Sequence, residues 1–198
     1  MTIPMLPLHL VESLERRLAT SVTAATSGFT GSQQVQDWGG EWWEFTFEMA
    51  LTRGREARRL SAFFAALGGM RGQFLFRDPS AGRTDILADP MVSGDGQSGN
   101  TLVTTGWAPS SPALEIGDFI SLGNDADTRF HQITEDADAD ASGAATLKIT
   151  PRLRTSPLSG TALELAAPAV LLRLTGSVPT RINRADNHRF SVTAREAL

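Results

Sequence analysis

Alternating aspartates at residues 136–140 have the spacing that comes closest to a metal site. Asp136, Asp138 and Asp140 recur at every second position, as the first ligands of a calcium loop do. Such a loop then requires a glycine at its sixth position and a bidentate glutamate at its twelfth, where this chain has Ala141 and Leu147. The pattern excludes an EF-hand and favours a solvated turn between two strands, in which Asp, Ser and Gly satisfy the backbone. A looser calcium site is the alternative, and we expect no bound metal.

The three histidines and the absence of cysteine restrict the remaining chemistry. His9, His131 and His188 have no partner at the i, i+4 spacing of a zinc-protease helix. His131 lies in an apparent strand, two positions from Ile133, and is interpreted as a packed or surface side chain rather than a metal ligand. A chain without cysteine has no disulfide, thiolate metal site or cysteine nucleophile.

Other catalytic motifs are also missing. The glycines around Asp95 are not followed by Lys-Ser/Thr and a helix, so they do not predict a phosphate-binding loop. No GxSxG nucleophile elbow is present. We expect every acidic residue to be exposed or in a turn, which leaves no carboxylate pair for acid–base catalysis. The sequence therefore predicts no catalytic residue and no cofactor.

The element that must position the aromatic side chains is a strand over residues 42–51. Alternation places Trp43, Phe45, Phe47, Met49 and Leu51 on one face and acidic or small residues on the other. Phe45 and Phe47 are therefore candidate core residues, and Trp42 and Trp43 are candidate core or interface residues. A sugar-binding platform formed by Trp38, Trp42 and Trp43 is the alternative.

A helix over residues 53–67 is predicted to follow the strand. Ala57, Leu60, Phe64 and Leu67 form one apolar stripe, with Thr52 as the expected N-cap and Gly68–Gly69 as the stop. The opposite face carries a separate set of candidate interface residues, whose alternative role is phosphate binding: Arg55, Arg58 and Arg59.

Composition sets broad limits on the class of protein. The chain has 198 residues and a net charge of -4, so we expect a folded core and no general affinity for nucleic acid. The basic residues are arginine except for Lys148, which suits planar interface contacts or reflects a GC-rich coding genome. The N-terminal residues do not predict a signal peptide, and no apolar run is long enough for a membrane helix.

Between residues 80 and 167 short strand-like runs alternate with Gly, Asp and Ser, which predicts a small sheet or barrel. Longer apolar strands return after Pro168. The sequence thus predicts a mainly β protein. Residues 1–78 and 168–198 would form one β-domain with a packed helix, and residues 79–167 an inserted small β-barrel.

The order of motifs resembles the distal tail proteins of long-tailed bacteriophages and gene transfer agents. The resemblance covers nearly the whole chain and is carried by these segments: GSQQ and WGGEW near the start, EARRLSAFFAALGGMRGQFLFRDP at residues 56–79, SGDGQSGNTLVTTGW at 93–107, GDFISLG at 117–123, the stretch at 140–154 ending in PRLR, and PAVLLRL at 168–174.

The resemblance implies a structural protein of the virion tail tip, assembled in the host cytoplasm. It implies a β-sandwich or barrel domain that forms a ring, expected to be a hexamer, which joins the tail tube protein to the hub and tip proteins of the baseplate. DNA would pass through the lumen without specific binding. We expect subunit contacts through the first and last thirds of the chain. The alternatives are a tail-tube or tail-completion subunit, a carbohydrate-binding β-sandwich module and, less favoured, a hydrolase.

Overall fold

A computed structural model describes residues 3–197 of the chain. Strands account for 49% of the residues and helices for 12%, so the predicted mainly β fold is confirmed. Within residues 3–197, no helix combines the length and the apolar character that a membrane crossing requires.

The first sheet has seven antiparallel strands in the order β1-β2-β15-β13-β4, with β14 and β3 pairing with β15. Its strands come from the two ends of the chain. They are β1 (Val11–Thr26), β2 (Gln33–Met49), β3 (Thr52–Arg53), β4 (Phe74–Arg77), β13 (Ala169–Leu174), β14 (Thr180–Ile182) and β15 (Asn187–Glu196).

The second sheet has six strands in the order β12-β8-β9-β11-β6-β5 and is nearly closed into a barrel. Backbone bonds from Val92 to Thr161 and from Leu163 to Pro90 bring its two end strands together. Its strands are β5 (Met91–Val92), β6 (Gly99–Thr105), β8 (Phe119–Leu122), β9 (Arg129–Ile133), β11 (Ala144–Leu153) and β12 (Leu163–Glu164). A separate pair is formed by β7 (Pro112–Leu114) and β10 (Ala137–Asp138).

The alternating strand predicted over residues 42–51 lies within the longer strand β2. Trp43, Phe45, Phe47 and Met49 are all buried, as predicted. The Phe45 and Phe47 rings stack at 5.8 Å, and the edge of Phe76 meets Phe47 at 4.7 Å. Leu51 was wrongly placed in this set. It lies beyond the end of β2, where the alternation no longer applies, and is 56% exposed.

Helix α1 (Gly54–Leu67) covers the apolar face of the seven-stranded sheet. Its stripe of Ala57, Leu60, Phe64 and Leu67 is buried, as its spacing predicts. The chain leaves the helix through Gly68 in the left-handed conformation at φ 63°, which confirms the predicted stop. Two 3-10 segments flank this region, Leu8–Leu10 and Gly69–Arg71, and a third spans Asp125–Asp127.

Thr52 is not the N-cap of this helix. The residue before the first turn is Arg53, and no side chain caps the helix there. Thr52 instead lies in β3, opposite His188, and is buried. Pairing with β15 holds the Thr52 backbone in a strand, so its hydroxyl is not placed over the first helical turn.

The two sheets share an aromatic contact around Trp43. The rings of Phe119 and Phe130, on β8 and β9, lie edge-on to Trp43 at 5.9 and 5.8 Å. The Trp43 indole N–H donates to the Phe130 carbonyl at 3.1 Å. Arg16 of β1 places its guanidinium 3.9 Å from the Phe119 ring centre. These contacts bring Phe119 and Phe130 into the core of the first sheet, whereas the barrel interior has a separate core. The proposed boundaries at residues 78–79 and 167–168 stay a prediction about folding units.

The turn predicted for the aspartate run is present only at its end: Ala137–Asp138 form strand β10, and the turn lies at Ala141–Ser142, directly after Asp140. Asp140 Oδ1 accepts hydrogen bonds from the backbone N–H groups of Ser142 at 2.8 Å and Ala144 at 3.0 Å. The Ser142 hydroxyl also donates to Asp140 Oδ1, at 2.6 Å, and is the main cause of the lowered pKa of Asp140. The backbone bonds lower this pKa further. The intervening Ala137 and Ala139 are buried, so the alternation reflects a strand that faces the barrel core.

Candidate assembly interface

The most exposed part of the first sheet is the outer half of the β1–β2 hairpin, residues 20–38, which we call the arm. All of its residues except Ser21 and Ser27 are exposed, so both faces of the arm are open. The register shifts between Thr20 and Val22, and antiparallel pairing then runs from Val22 opposite Asp37 to Thr26 opposite Gln33, so the arm is a two-stranded ribbon beyond this irregularity. Its tip closes through Ser27, whose carbonyl accepts from Gly31 N–H and whose N–H donates to the Ser32 carbonyl.

Large apolar side chains lie on this arm without cover from residues 3–197. Phe29, at the tip, is fully exposed, Trp38 is 70% exposed, and Val22 and Val35 are about half exposed or more. A two-stranded ribbon is marginally stable alone in water. Exposed apolar groups concentrated on such a ribbon are typical of a protein contact surface.

Charged contacts fix the base of the arm to the barrel. Arg152 of β11 donates to Glu41 Oε1 at 3.1 Å and lies 3.4 Å from Asp37 Oδ2. The Arg152 backbone N–H also donates to Glu41 Oε2 at 2.8 Å. The hydrogen bond to Glu41 is the main cause of the raised pKa of Arg152. Gly39, at φ 73°, lets the strand pass this guanidinium, since a Cβ there would lie 3.3 Å from Arg152 Nη1.

The two edges of the seven-stranded sheet differ. At one edge, β4 is covered by the N-terminal segment: Leu75 N–H donates to the Pro4 carbonyl, and Leu6 N–H donates to the Leu75 carbonyl, each at 2.9 Å. At the other edge, β1 pairs only with β2 among the described residues. A long strand with an unpaired edge is a template for pairing with another chain unless something blocks it.

The outward face of the same sheet carries alternating charges. Arg17 donates to Glu44 at 2.7 Å, and Ser191 donates to Glu48 at 2.7 Å. The Trp42 indole N–H donates to Glu44 at 3.0 Å and is the main cause of the lowered pKa of that carboxyl. Trp42 therefore belongs to the polar face, whereas its neighbour Trp43 lies in the core.

The helix arginines are exposed as predicted. Arg55, Arg58 and Arg59 form no ion pair within residues 3–197. Arg58 is close enough to contribute to the lowered pKa of Asp186, whose main cause is the hydrogen bond with His188 at 3.0 Å. The structure does not bring these arginines together with the tryptophans: the helix lies on the core side of the sheet, and Trp42 on the other side.

Two acidic residues contradict the expectation that all carboxylates are exposed or in turns. Asp78 and Glu196 are each only 2% exposed. Asp78 pairs with Arg16 and accepts from the backbone and hydroxyl of Ser80. Glu196 pairs with Arg154 at 3.0 Å. Arginines permit this burial because a paired and hydrogen-bonded carboxylate is not left as an isolated buried charge. Both carboxylates therefore join distant strands.

The predicted site residues divide into a buried group and a group outside the core. The second group is Trp42, Arg55, Arg58 and Arg59. Trp43, Phe45 and Phe47 are core residues, so Trp43 cannot form an exposed sugar platform with Trp38 and Trp42. Sequence analysis did not predict the arm or the open β1 edge. Val22 and Thr23 before the Gly28–Gly31 segment and Val35 after it are the β-forming residues that indicate a hairpin there.

Neither a scan against protein-family models nor a search of curated proteins gives a match for this chain.

Proposed function

We propose that the protein is a structural subunit of a phage-type tail, a distal tail protein that forms a homomeric ring between the tail tube and the hub. The observation that carries the proposal is the asymmetry of the seven-stranded sheet. One edge is covered by residues 4–6, and the other is open along β1 and continues into an exposed apolar arm. The motif resemblance described above supplies the tail context.

The proposed ring requires a head-to-tail contact between subunits. A surface that pairs with itself generates a dimer, whereas a surface that contacts a different surface of the next subunit generates a ring if the rotation closes. The open β1 edge and the arm would supply one side of this contact. Both belong to the first third of the chain, in keeping with the expected role of the chain ends in assembly.

A ring of such subunits suits the passage of DNA. The outward face of the sheet balances Glu44 and Glu48 with Arg17 and Arg195, and the whole chain carries a net charge of -4. A balanced or mildly acidic surface gains little from phosphate neutralisation and would not retain DNA. Sixfold symmetry rests on the resemblance alone. A tail-tube or tail-completion subunit would use the same open edge.

We propose a structural rather than a catalytic role. The two buried carboxylates are committed to arginine pairs. His188 is hydrogen-bonded to Asp186, and His131 is enclosed within the barrel. Thr52 lies opposite His188, but within residues 3–197 its hydroxyl and His188 Nδ1 each lack a hydrogen-bond partner, so they do not form the nucleophile–base pair that hydrolytic catalysis uses.

Charged substitutions on the arm test the proposal. Val35→Asp combined with Phe29→Asp places two charges on side chains that are exposed in the single subunit. Stability of the subunit should therefore change by about 0.5 kcal/mol or less per site. Assembly should be lost, as measured by sedimentation velocity and negative-stain imaging. Leu87→Asp is the matched control, because Leu87 is 95% exposed but lies on the barrel side.

The outcomes separate the function from the interface. Rings in the wild type and in Leu87→Asp, with none in the arm variant, support both. Rings that persist in the arm variant contradict the interface assignment. A wild-type protein that stays monomeric, both alone and with its neighbouring tail proteins, contradicts the function.

A further inference from the structure

A cleft of about 370 Å³ opens on the outward face of the seven-stranded sheet. Three strands and the segment after the last of them line it: Trp42 of β2, Arg173 of β13, and Arg195, Glu196 and Ala197 at the end of β15 and just beyond. The register places Glu44 opposite Arg195, so both share the outward face with Trp42, two positions along β2. Small-ligand sites are typically clefts of roughly 300 to 1,000 Å³.

Two arginines of this cleft stand directly opposite each other on neighbouring strands. Arg173 and Arg195 are register partners in the β13–β15 pair, which brings their Cβ atoms to about 4.5–5.5 Å. Like charges in this position destabilise a sheet. The Nη1 of Arg173 donates to the carbonyls of Met70 at 2.8 Å and Arg71 at 3.1 Å, which holds the side chain in place. Its Nε and Nη2 have no partner within residues 3–197 and stay free to donate.

The nearest carboxylate in the register does not balance this pair. Glu44 lies opposite Arg195, but its oxygens accept from Arg17 at 2.7 Å and from the Trp42 indole at 3.0 Å. Arg195 is the smallest cause of the lowered pKa of Glu44, and it forms no ion pair within residues 3–197. One row across the sheet thus sets the guanidinium groups of Arg17, Arg195 and Arg173 against a single carboxylate. An anion in the cleft would reduce this excess of positive charge.

The walls of the cleft indicate the class of this anion. A guanidinium is planar and presents its N–H donors in a fork that matches the two oxygens of a carboxylate. Arg195 is exposed, so its donors can be reached from solvent. The half-buried ring of Trp42 adds aromatic surface beside the charges, which suits an apolar group next to the carboxylate. A bare phosphate ion would leave that surface uncovered.

We propose that this cleft, which we call the arginine cleft, binds a carboxylate that is attached to an apolar or aromatic group, with Arg173 and Arg195 as its donors. The site does not depend on ring assembly, because all of its lining residues belong to one subunit. Either a free small acid or a side chain of a contacting protein presents this chemistry.

NMR of the indole and guanidinium N–H groups in the full-length protein tests the proposal. The probes are benzoate, its uncharged counterpart benzamide, and inorganic phosphate. Benzoate should shift the Trp42 indole N–H and the Arg195 Nε–H in a saturable way, and benzamide should not. The indole of Trp107, which is buried in the barrel core, should not respond and serves as the internal control.

Three variants test the role of the guanidinium group. Arg195→Gln should weaken benzoate binding about tenfold or more, the equivalent of one hydrogen bond to a charged group. Arg195→Lys keeps the charge but loses the fork, so it should recover only part of the binding. Arg189→Gln is the matched control, since Arg189 is exposed on the same strand and faces Arg181 in the register, but lies outside the cleft. It should bind benzoate as the wild type does.

Saturable shifts with benzoate that weaken in Arg195→Gln and persist in Arg189→Gln support the site. No shift with benzoate, or an equal response to benzamide, overturns the proposal. Tighter binding of phosphate than of benzoate overturns the ligand class. Because the wild-type spectra give these readings by themselves, a variant that fails to fold does not remove the test.

Two further arms identify the source of the carboxylate. A variant with two glycines added after Leu198 moves the terminal carboxylate; benzoate binding that appears only in this variant assigns the cleft to the chain's own terminus and overturns an external ligand. The second arm adds benzoate to the protein mixed with its neighbouring tail proteins. Binding that the mixture blocks supports a carboxylate side chain of a contacting protein, and binding that persists supports a free small acid.

Discussion

Replacement of Trp43 by alanine should weaken the whole molecule, because this side chain joins the two sheets. Trp43 is 4% exposed, lies edge-on to Phe119 and Phe130, and donates its indole N–H to the Phe130 carbonyl. Removal of a buried tryptophan side chain typically costs about 3–5 kcal/mol. Trp43→Phe keeps most of the packing but leaves the Phe130 carbonyl without its donor, which should cost about 1–3 kcal/mol.

Trp42→Ala is the matched control for this prediction. Trp42 is the adjacent residue on the opposite face of β2, is half-buried, and bonds only to Glu44 there. Its loss should cost about 1 kcal/mol or less, since the site is not closed.

Urea unfolding followed by two signals measures both effects. Far-UV circular dichroism reports all strands, and in the Trp43 variants the fluorescence of Trp38 and Trp42 on the first sheet and of Trp107 in the barrel core reports both sheets. Coincident transitions are expected in the wild type, because the contacts of Trp43 couple the sheets. Equal losses in Trp42→Ala and Trp43→Ala, or a loss below about 1 kcal/mol in Trp43→Ala, would refute the reasoning.

Three further predictions concern the core, the aspartate run and pH. Phe47→Ala should lower the free energy of unfolding by about 3–5 kcal/mol, since the ring is fully buried. Thr46→Ala, on the opposite face of the strand, should lower it by less than about 1 kcal/mol. Denaturant unfolding measures both free energies, and equal losses would contradict the assigned faces. The thermal midpoint should not rise with calcium; an increase that EDTA reverses and Asp138→Ala abolishes would show a structural ion. For His131 the folded pKa is about 4 against an ordinary value of 6.5, so the unfolded chain takes up a proton first. Stability should therefore fall by up to about 3 kcal/mol as the pH drops from 6.5 to 4, and this part of the loss should vanish in His131→Asn; an identical pH profile in both proteins would contradict it.

Local patterns predicted the elements that bury one face. The alternation through Phe45 and Phe47 and the 3.6-residue spacing from Ala57 to Leu67 each reflect a surface that must turn towards a core. The arm has no such surface. Its two strands are exposed on both faces, so the sequence from Val22 to Trp38 shows no alternation that burial would impose.

Long-range partners explain the other differences between sequence and structure. Asp78 is buried because Arg16 lies beside it, although 62 residues separate them in the chain. Glu196 is buried beside Arg154, at a separation of 42 residues. Thr52 lies in a strand because His188 pairs with it across the sheet. No local window contains both members of such a pair, so an acidic residue or a helix cap cannot be assigned reliably from its neighbours alone.

The environment of His131 illustrates the same limit for a buried polar side chain. The sequence gives a histidine in a strand, two positions from Ile133, and predicts a packed or surface side chain; the structure buries it. Only the fold shows that one ring nitrogen is satisfied by Pro151 and the other is not.

The most direct test of the central claim is the mass and shape of the purified full-length protein, alone and mixed with its neighbouring tail proteins. Light scattering with negative-stain imaging is the measurement, repeated with the arm variant Phe29→Asp/Val35→Asp. The account predicts a closed ring with a central pore and a mass that is an integral multiple of 21.2 kDa, lost in the arm variant. A single 21.2 kDa species under all of these conditions would contradict it.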